Sequence, residues 1–534
     1  MDIWIFAVFL FLRLSAESNE NNTLQALEKH TFFQHEAVCV PPTLKYNEYL
    51  QHHQGGYQII NKVCFEGGVI VVHDSEILDK MGAEQGRGLP YFDSNKFQEH
   101  HKHATYHADP LLPIEGGNCR HGDLRIRYPT SSEVKKSKHF SQCTLPVLIY
   151  SNWIHTYGEY FTRVPWITQL QETGNIDKNA TFIFASCNSI PLEPYHMILV
   201  KPFTNHNVYS WSAFAGKVGA NNDPSITGGQ DAGHMRCYDK MLILGFDHAR
   251  WAHTYRIAQH VLDYYNKLGK VPNSTLFTSG PDTLKIFFEY RSVGGKDEGG
   301  HFAKRVGPKM QIVKPDDPRL QQYKEYIREP EKYKGKPMYA GARQILNLGE
   351  ILQLCETSTN WPEVLKGTKW KGVECRVFSF GKDMFEAMSV MQQVDLFISL
   401  HGSGEINSMF MREGTIKIQM RQKEFGTVHR YLSNGYWPLM CHQNDFPFQC
   451  WFLNFDEEDS FEPGLLERLG LMEDQLIYRD RHLRLNFEHL QYALKEILPV
   501  QENKKEYLRR WEESQVAITF FSNHTVGYFQ HISR

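Results

Sequence analysis

The sequence predicts an α/β fold of two Rossmann-like halves facing a cleft and closed by C-terminal helices. Three observations carry this. Apolar runs of strand length alternate with amphipathic stretches from Leu145 onward. A polar segment over 292–342 interrupts that rhythm, which then resumes, so the pattern occurs twice. Finally, Val394–Met420, VDLFISLHGSGEINSMFMREGTIKIQM, reads as strand, glycine loop, helix and strand.

In the first half, Leu145–Tyr150 reads as a strand and Trp153–Gln171 as a helix. Thr181–Ala185, Met197–Val200 and Met241–Leu244 read as further strands, and Trp251–Leu268 as an amphipathic helix. In the second half, Leu284–Tyr290 reads as a strand and Ile345–Cys355 as a helix. Val373–Phe380 follows as a strand and Met384–Gln392 as a helix. The buried strand from Val394 to Leu400 comes next, then a helix from near Glu405 and a strand over Ile416–Met420. Arg484–Leu498 and Glu502–Trp511 read as closing helices divided by Pro499, packing back on the first half. Before residue 143 only Gly68–His73 reads as a strand.

The predicted organisation is a signal peptide over 1–16, an N-terminal extension over 17–142 and a first Rossmann-like domain over 143–282. A second Rossmann-like domain spans 283–465 with a surface insertion at 292–342, and closing helices and a tail span 466–534. At 534 residues, with 41% hydrophobic and 13% aromatic residues, the chain can bury a large core. A net charge of −3 does not suggest a nucleic-acid partner.

The run Ile3–Leu12 is too short to span a bilayer, and Ser15–Ala16 offers a small-residue cleavage site. A short uncleaved anchor is the rival reading. No later segment is long and apolar enough for a span. Ten cysteines without a CxxC pair favour disulfides in an oxidising compartment over a zinc ribbon. Cys355–Cys375 and Cys441–Cys450 are the pairs expected from their proximity in sequence. Sequons at Asn21, Asn179, Asn273 and Asn523 agree with a luminal or secreted location.

A glycine loop opening a helix is where α/β proteins bind anions, so His401, Gly402, Ser403 and Gly404 point to a diphosphate. The glycines flank Ser403 directly, which excludes a nucleophile elbow, and no Lys-Ser or Lys-Thr pair follows to make a Walker motif. His155 and Glu159 lie at i, i+4 on one helical face after the strand ending at Tyr150, together with Asn152. A histidine beside a carboxylate can orient a base for a hydroxyl, or the two can be an ordinary surface pair. Arg291 ends a strand and Arg343 precedes a helix with Asn347 and Glu350, positions suited to phosphate. The cluster Glu99, His100, His101, His103 and His107 invites a metal, although histidine-rich loops are more often simply polar.

Together these motifs resemble glycosyltransferase family 61. The carriers are HGSGEINSMF (His401–Phe410), Arg291 with RQILNLGE (Arg343–Glu350), and NWIHTYGE (Asn152–Glu159), in family order. The resemblance implies a GT-B-like fold, a UDP-sugar donor in the second half, and inverting transfer to a glycoprotein or glycan hydroxyl. It implies that Arg291, Arg343, Asn347, His401, Gly402, Ser403, Gly404, Glu405, Asn407 and Gln419 surround the donor. Glu159 would be the base, with His155 orienting it. The sugar and any metal requirement are left open. Glu405 stands where the family has an apolar residue and Gln419 where it commonly has Glu. Glu405 could cap the helix favourably, yet an anion there would repel a diphosphate in a wet cleft, and a secreted binding protein that has lost catalysis is the alternative this raises.

Overall fold

The structure, a computed structural model, describes residues 39–45, 57–66, 69–74, 106–107, 125–127, 129–135, 139–150, 157–185, 193–215, 235–245, 251–290, 305–306, 309–310, 345, 347–380, 383–421, 447–455, 483, 485–513, 516–521 and 524–529. The signal-like segment, the sequons at Asn21 and Asn523, Glu99, His100, His101, His103, Asn152, His155, Arg291 and Arg343 lie outside the described residues.

The architecture is mixed α/β with two mainly parallel sheets. The first is built from β1 (Tyr57–Glu66), β2 (Val69–Val72), β3 (Tyr106–His107), β4 (Arg125–Arg127), β5 (Leu145–Tyr150), β6 (Ala180–Ala185), β7 (Tyr209–Ser210) and β8 (Met235–Gly245). Their order is β3-β4-β2-β1-β8-β5-β6-β7. The run β8-β5-β6-β7 is parallel, and β1 joins it antiparallel to β8 with Cys64 opposite Cys237. Four of the eight strands therefore come from the region before residue 143, where the sequence had offered one.

The second sheet follows from β9 (Thr283–Glu289), past a hairpin of β10 (Arg305–Val306) and β11 (Lys309–Met310). It continues with β12 (Gly372–Phe378), β13 (Leu396–Leu400), β14 (Ile416–Arg421), β15 (Gln449–Phe455), β16 (Ala517–Phe521) and β17 (His524–Phe529). The order is β12-β9-β13-β14-β15-β16-β17, parallel except for β17. The chain steps from β9 outward to β12, then returns to the other side of β9 as β13. That reversal opens a crevice beyond the carboxyl ends of β9 and β13, where open α/β sheets bind ligands. The first sheet reverses in the same way between β5 and β8.

One continuous hydrophobic core runs through both halves. The helix Trp251–Lys267 binds them together. Gln259 Nε2 donates to the Met409 carbonyl at 2.7 Å and Tyr255 Oη to that of Met411 at 3.2 Å. Tyr265 Oη reaches the Ile198 carbonyl while its ring meets Phe385 edge-on, centroids 4.9 Å apart. Disulfides join Cys39 to Cys143, Cys64 to Cys237, and Cys355 to Cys375 as expected. Cys450 is also disulfide-bonded, while Cys441 lies outside the described residues. Disulfides of this kind are consistent with the secretory pathway or secretion. Among the described residues no helix is long and apolar enough to cross a membrane.

Several sequence expectations are corrected. Met197–Val200 belongs to a helix, Pro194–Val200, because Pro194 sits at its first position and Glu193 and His196 close a capping box around its start. The expected helix over Trp153–Gln171 is two helices, Tyr157–Phe161 and Val164–Glu172, with Pro165 near the start of the second. The helix expected from Ile345 begins at Leu348, and Ile345 instead bridges to Leu483. The segment after Gly402 is a 3-10 helix, Ser403–Phe410. The closing helices, Phe487–Ile497 and Lys504–Glu512, pack on the second half: Phe487 meets Trp361 edge-on, and Tyr507 Oη bonds the Cys450 backbone.

Candidate active site at the glycine loop

β13 is buried at every position, so its carboxyl end delivers the glycine loop to the reversal point between β9 and β13. Gly402 is extended, and the first 3-10 bond runs from the Glu405 amide to the Gly402 carbonyl, 3.1 Å. The amides of Ser403 and Gly404 precede that bond and lie at the positive end of the helix dipole. Glu289, at the carboxyl end of β9, reaches up to Gly404: a Cβ there would lie 1.8 Å from its carboxylate oxygen, so any side chain at 404 would have to displace that carboxylate.

The helix Tyr157–Phe161, which follows β5, packs directly on this loop. A Cβ on Gly158 would lie 3.3 Å from the Ser403 Cα. Tyr157 Oη donates to Asn407 Oδ1 at 2.8 Å, and Asn407 Nδ2 in turn donates to the Gly404 carbonyl at 2.9 Å. Phe161 stacks at a tilt on Phe410, centroids 5.4 Å apart. Burial against this loop raises the Tyr157 phenol well above its usual range, Tyr195 adding to the shift. The phenol is thus a hydrogen-bond donor at any physiological pH. The elements at the two reversal points therefore meet, and the backbone of Glu159 lies one residue from the Gly158–Ser403 contact.

Beneath the loop lies a buried charged cluster. β14, IKIQMR, is buried at all six positions. Strand periodicity puts Ile416, Ile418 and Met420 on one face and Lys417, Gln419 and Arg421 on the other. Ser399 is the register partner of Gln419 on β13. Glu405, fully buried, turns its carboxylate into this polar face. Its Oε1 accepts from Ser399 Oγ at 2.8 Å and lies 3.0 Å from Lys417 Nζ. Gln419 Nε2 lies 2.9 Å and 3.1 Å from its two oxygens. Arg421 donates through Nε to Gln419 Oε1 at 3.0 Å and stacks over Phe452 at 3.8 Å. Burial pushes the Lys417 ammonium down to about 8 against the pull of Glu405 and Glu289. It pushes the Arg421 guanidinium down to about 9 against that of Glu405.

The sequence had read Glu405 as an anion exposed to the donor. In the structure it is a core residue paired with Lys417, so that repulsion is offset by a lysine charge beneath the loop. Gln419 and His401 join the same network, with Gln419 Nε2 3.2 Å from His401 Nδ1. The amide of Asn347 is engaged at both ends by the Leu485 backbone, 2.8 Å each. Sequence reading missed Gly158, Tyr157, Glu289, Lys417 and Arg421. A signal for Lys417 was present, since a cation inside a strand between apolar neighbours requires a buried acid, but which acid supplies it is decided only by the fold. Among the described residues no group of three or more His, Cys, Asp and Glu could hold a metal ion.

A family model described as Glycosyltransferase 61 matches residues 303–418. The match starts within the segment that had read as an insertion and runs through β12, β13 and the glycine loop into β14. No curated protein matches the chain.

Proposed function

We propose, from the chain's membership of glycosyltransferase family 61, that it moves a sugar such as N-acetylglucosamine or xylose from a UDP-sugar to a hydroxyl of a glycoprotein or glycan in the secretory lumen, with inversion. In this GT-B-like reading the half over 143–282 faces the acceptor and the half over 283–465 holds the donor. The backbone amides around Ser403 to Asn407, with His401, Arg291 and Arg343, bind the diphosphate.

Glu159 is the base and His155 orients it. Glu159 takes the proton of the acceptor hydroxyl as its oxygen bonds the anomeric carbon. The bond from that carbon to the diphosphate oxygen breaks on the opposite face, and UDP leaves with the electron pair. Amides and cations preorganised around the leaving oxygens stabilise the charge that develops there.

The observation that supports this reading best is the approach of Gly158 to Ser403. It brings the helix that carries Glu159 against the glycine loop at the reversal points of both sheets. The test is UDP release from a panel of UDP-sugars by the purified chain, with and without glycopeptide acceptors. Glu159→Gln should lower turnover by ~10²–10⁴ while UDP binding is retained. Near-normal turnover in that variant would remove Glu159 from the role.

A further inference from the structure

The hydrogen-bond roles around Gln419 are fixed by chemistry rather than by choice of amide orientation. Arg421 Nε can only donate, so the Gln419 atom 3.0 Å from it is the oxygen. The amide nitrogen then faces the Glu405 carboxylate, which can only accept, at 2.9 and 3.1 Å. The same nitrogen lies 3.2 Å from His401 Nδ1. A donor in that place requires Nδ1 to accept. The Glu405 oxygen nearest to Nδ1 is 3.6 Å away, too far to take a proton from it. Glu405 is moreover occupied by Ser399, Gln419 and Lys417.

We propose that Gln419 is a positioning residue that holds His401 neutral with its proton on Nε2. The ring is then a donor suited to a phosphoryl oxygen of a nucleotide, not an acceptor. The chain reaches this state with one carboxylate, placed on the helix at Glu405, and a neutral amide on the strand. A carboxylate at position 419 would draw a proton to Nδ1, giving the opposite tautomer or an imidazolium. This deepens the reading of the loop as the diphosphate site and rests on it for the ligand.

The experiment is a long-range ¹H–¹⁵N spectrum of the histidine rings in the full chain near neutral pH, with His401 assigned by the signals lost in His401→Gln. The expected result is a neutral ring with Nε2 protonated, whose Nε2 signal moves when UDP is added. Gln419→Glu should shift the ring to protonation at Nδ1 and weaken UDP binding about tenfold, the worth of one hydrogen bond to a charged group. Protonation at Nδ1 in the wild type would overturn the proposal, as would an unchanged ring in Gln419→Glu. The wild-type spectrum reports the tautomer even if the chain transfers no sugar, so the two readings fail separately. A correct tautomer whose Nε2 signal ignores UDP would overturn the nucleotide-donor role alone.

Discussion

Replacing Lys417 by methionine isolates the charge balance under the glycine loop. The Lys417–Glu405 pair is 1% and 0% exposed, with 3.0 Å between Nζ and Oε1. At an effective dielectric of about 20, Coulomb attraction at that distance is about 5–6 kcal/mol. Desolvating the two ions costs several kcal/mol each, so the pair as a whole contributes little net stability. Loss of one partner is different. Glu405, Glu289, Lys417 and Arg421 sum to zero charge, and Lys417→Met leaves a buried excess of one negative charge beneath the loop. The expected loss is about 3–5 kcal/mol. In the double variant Lys417→Met/Glu405→Gln the cluster is neutral again, and an amide at 405 can still accept from Ser399. The double variant should lie within about 1.5 kcal/mol of wild type, far from the sum of the singles. Guanidinium denaturation of the four proteins, followed by tryptophan fluorescence, closes the cycle. A single-variant loss below about 1 kcal/mol, or simple additivity, would refute a mutually dependent buried pair.

The depressed Lys417 also predicts a pH effect. Between about 8, its folded value, and 10.5 in the unfolded chain, the unfolded state binds the proton that the folded state has released. Stability should therefore gain a rising component with pH across that window, and Lys417→Met should remove it. Equal pH slopes in the two proteins' denaturation midpoints would count against this. Gly158→Val should force the Tyr157–Phe161 helix away from Ser403, since a first methyl already meets backbone at 3.3 Å. Turnover should fall sharply, and thermal stability should also drop as the Tyr157–Asn407 bond and the Phe161–Phe410 contact loosen. Full activity in that variant would show that the contact is dispensable. Cys355→Ser opens a disulfide spanning a separation of 20 residues. It should lower stability by about 3 kcal/mol on loop-entropy grounds, measured without reductant.

Much of the second sheet was legible because its strands are short, mainly apolar runs bounded by glycine or polar turns. Leu396–Leu400 is an example, and Cys355–Cys375 could be paired from proximity alone. What escaped had no local signature. Tyr57–Glu66 mixes Gln58, Asn61 and Lys62 with apolar residues, and its identity as a strand comes from pairing with residues far along the chain. Met197–Val200 has the composition of a strand, but its capping box and Pro194 decide for a helix. Ala517–Phe521 was strand-like yet followed two helices, and was absorbed into a tail. The glycine loop itself was readable. The fate of Glu405 was not, because its partners Lys417 and Gln419 are brought to it only by parallel pairing of β13 with β14.

The antiparallel pairing of β1 with β8 sets a timetable for biosynthesis. Cys64 and Cys237 stand opposite each other across 173 positions of sequence. At roughly 5–20 residues per second of synthesis, the N-terminal strand waits on the order of 10–30 seconds for its neighbour to be made. Throughout that interval the edge of β1 that will meet β8, and the Cys64 thiol, have no native partner, while the other edge can already pair with β2. Cys143, the mate of Cys39, is made earlier, across a separation of 104. The two crosslinks interleave in sequence, and the shorter one becomes available before the longer. Any premature joining of Cys39 to Cys64 would have to be undone before the first sheet could close. The long separation thus ties closure of the first sheet to keeping Cys64 from the wrong sulfur until Cys237 is made.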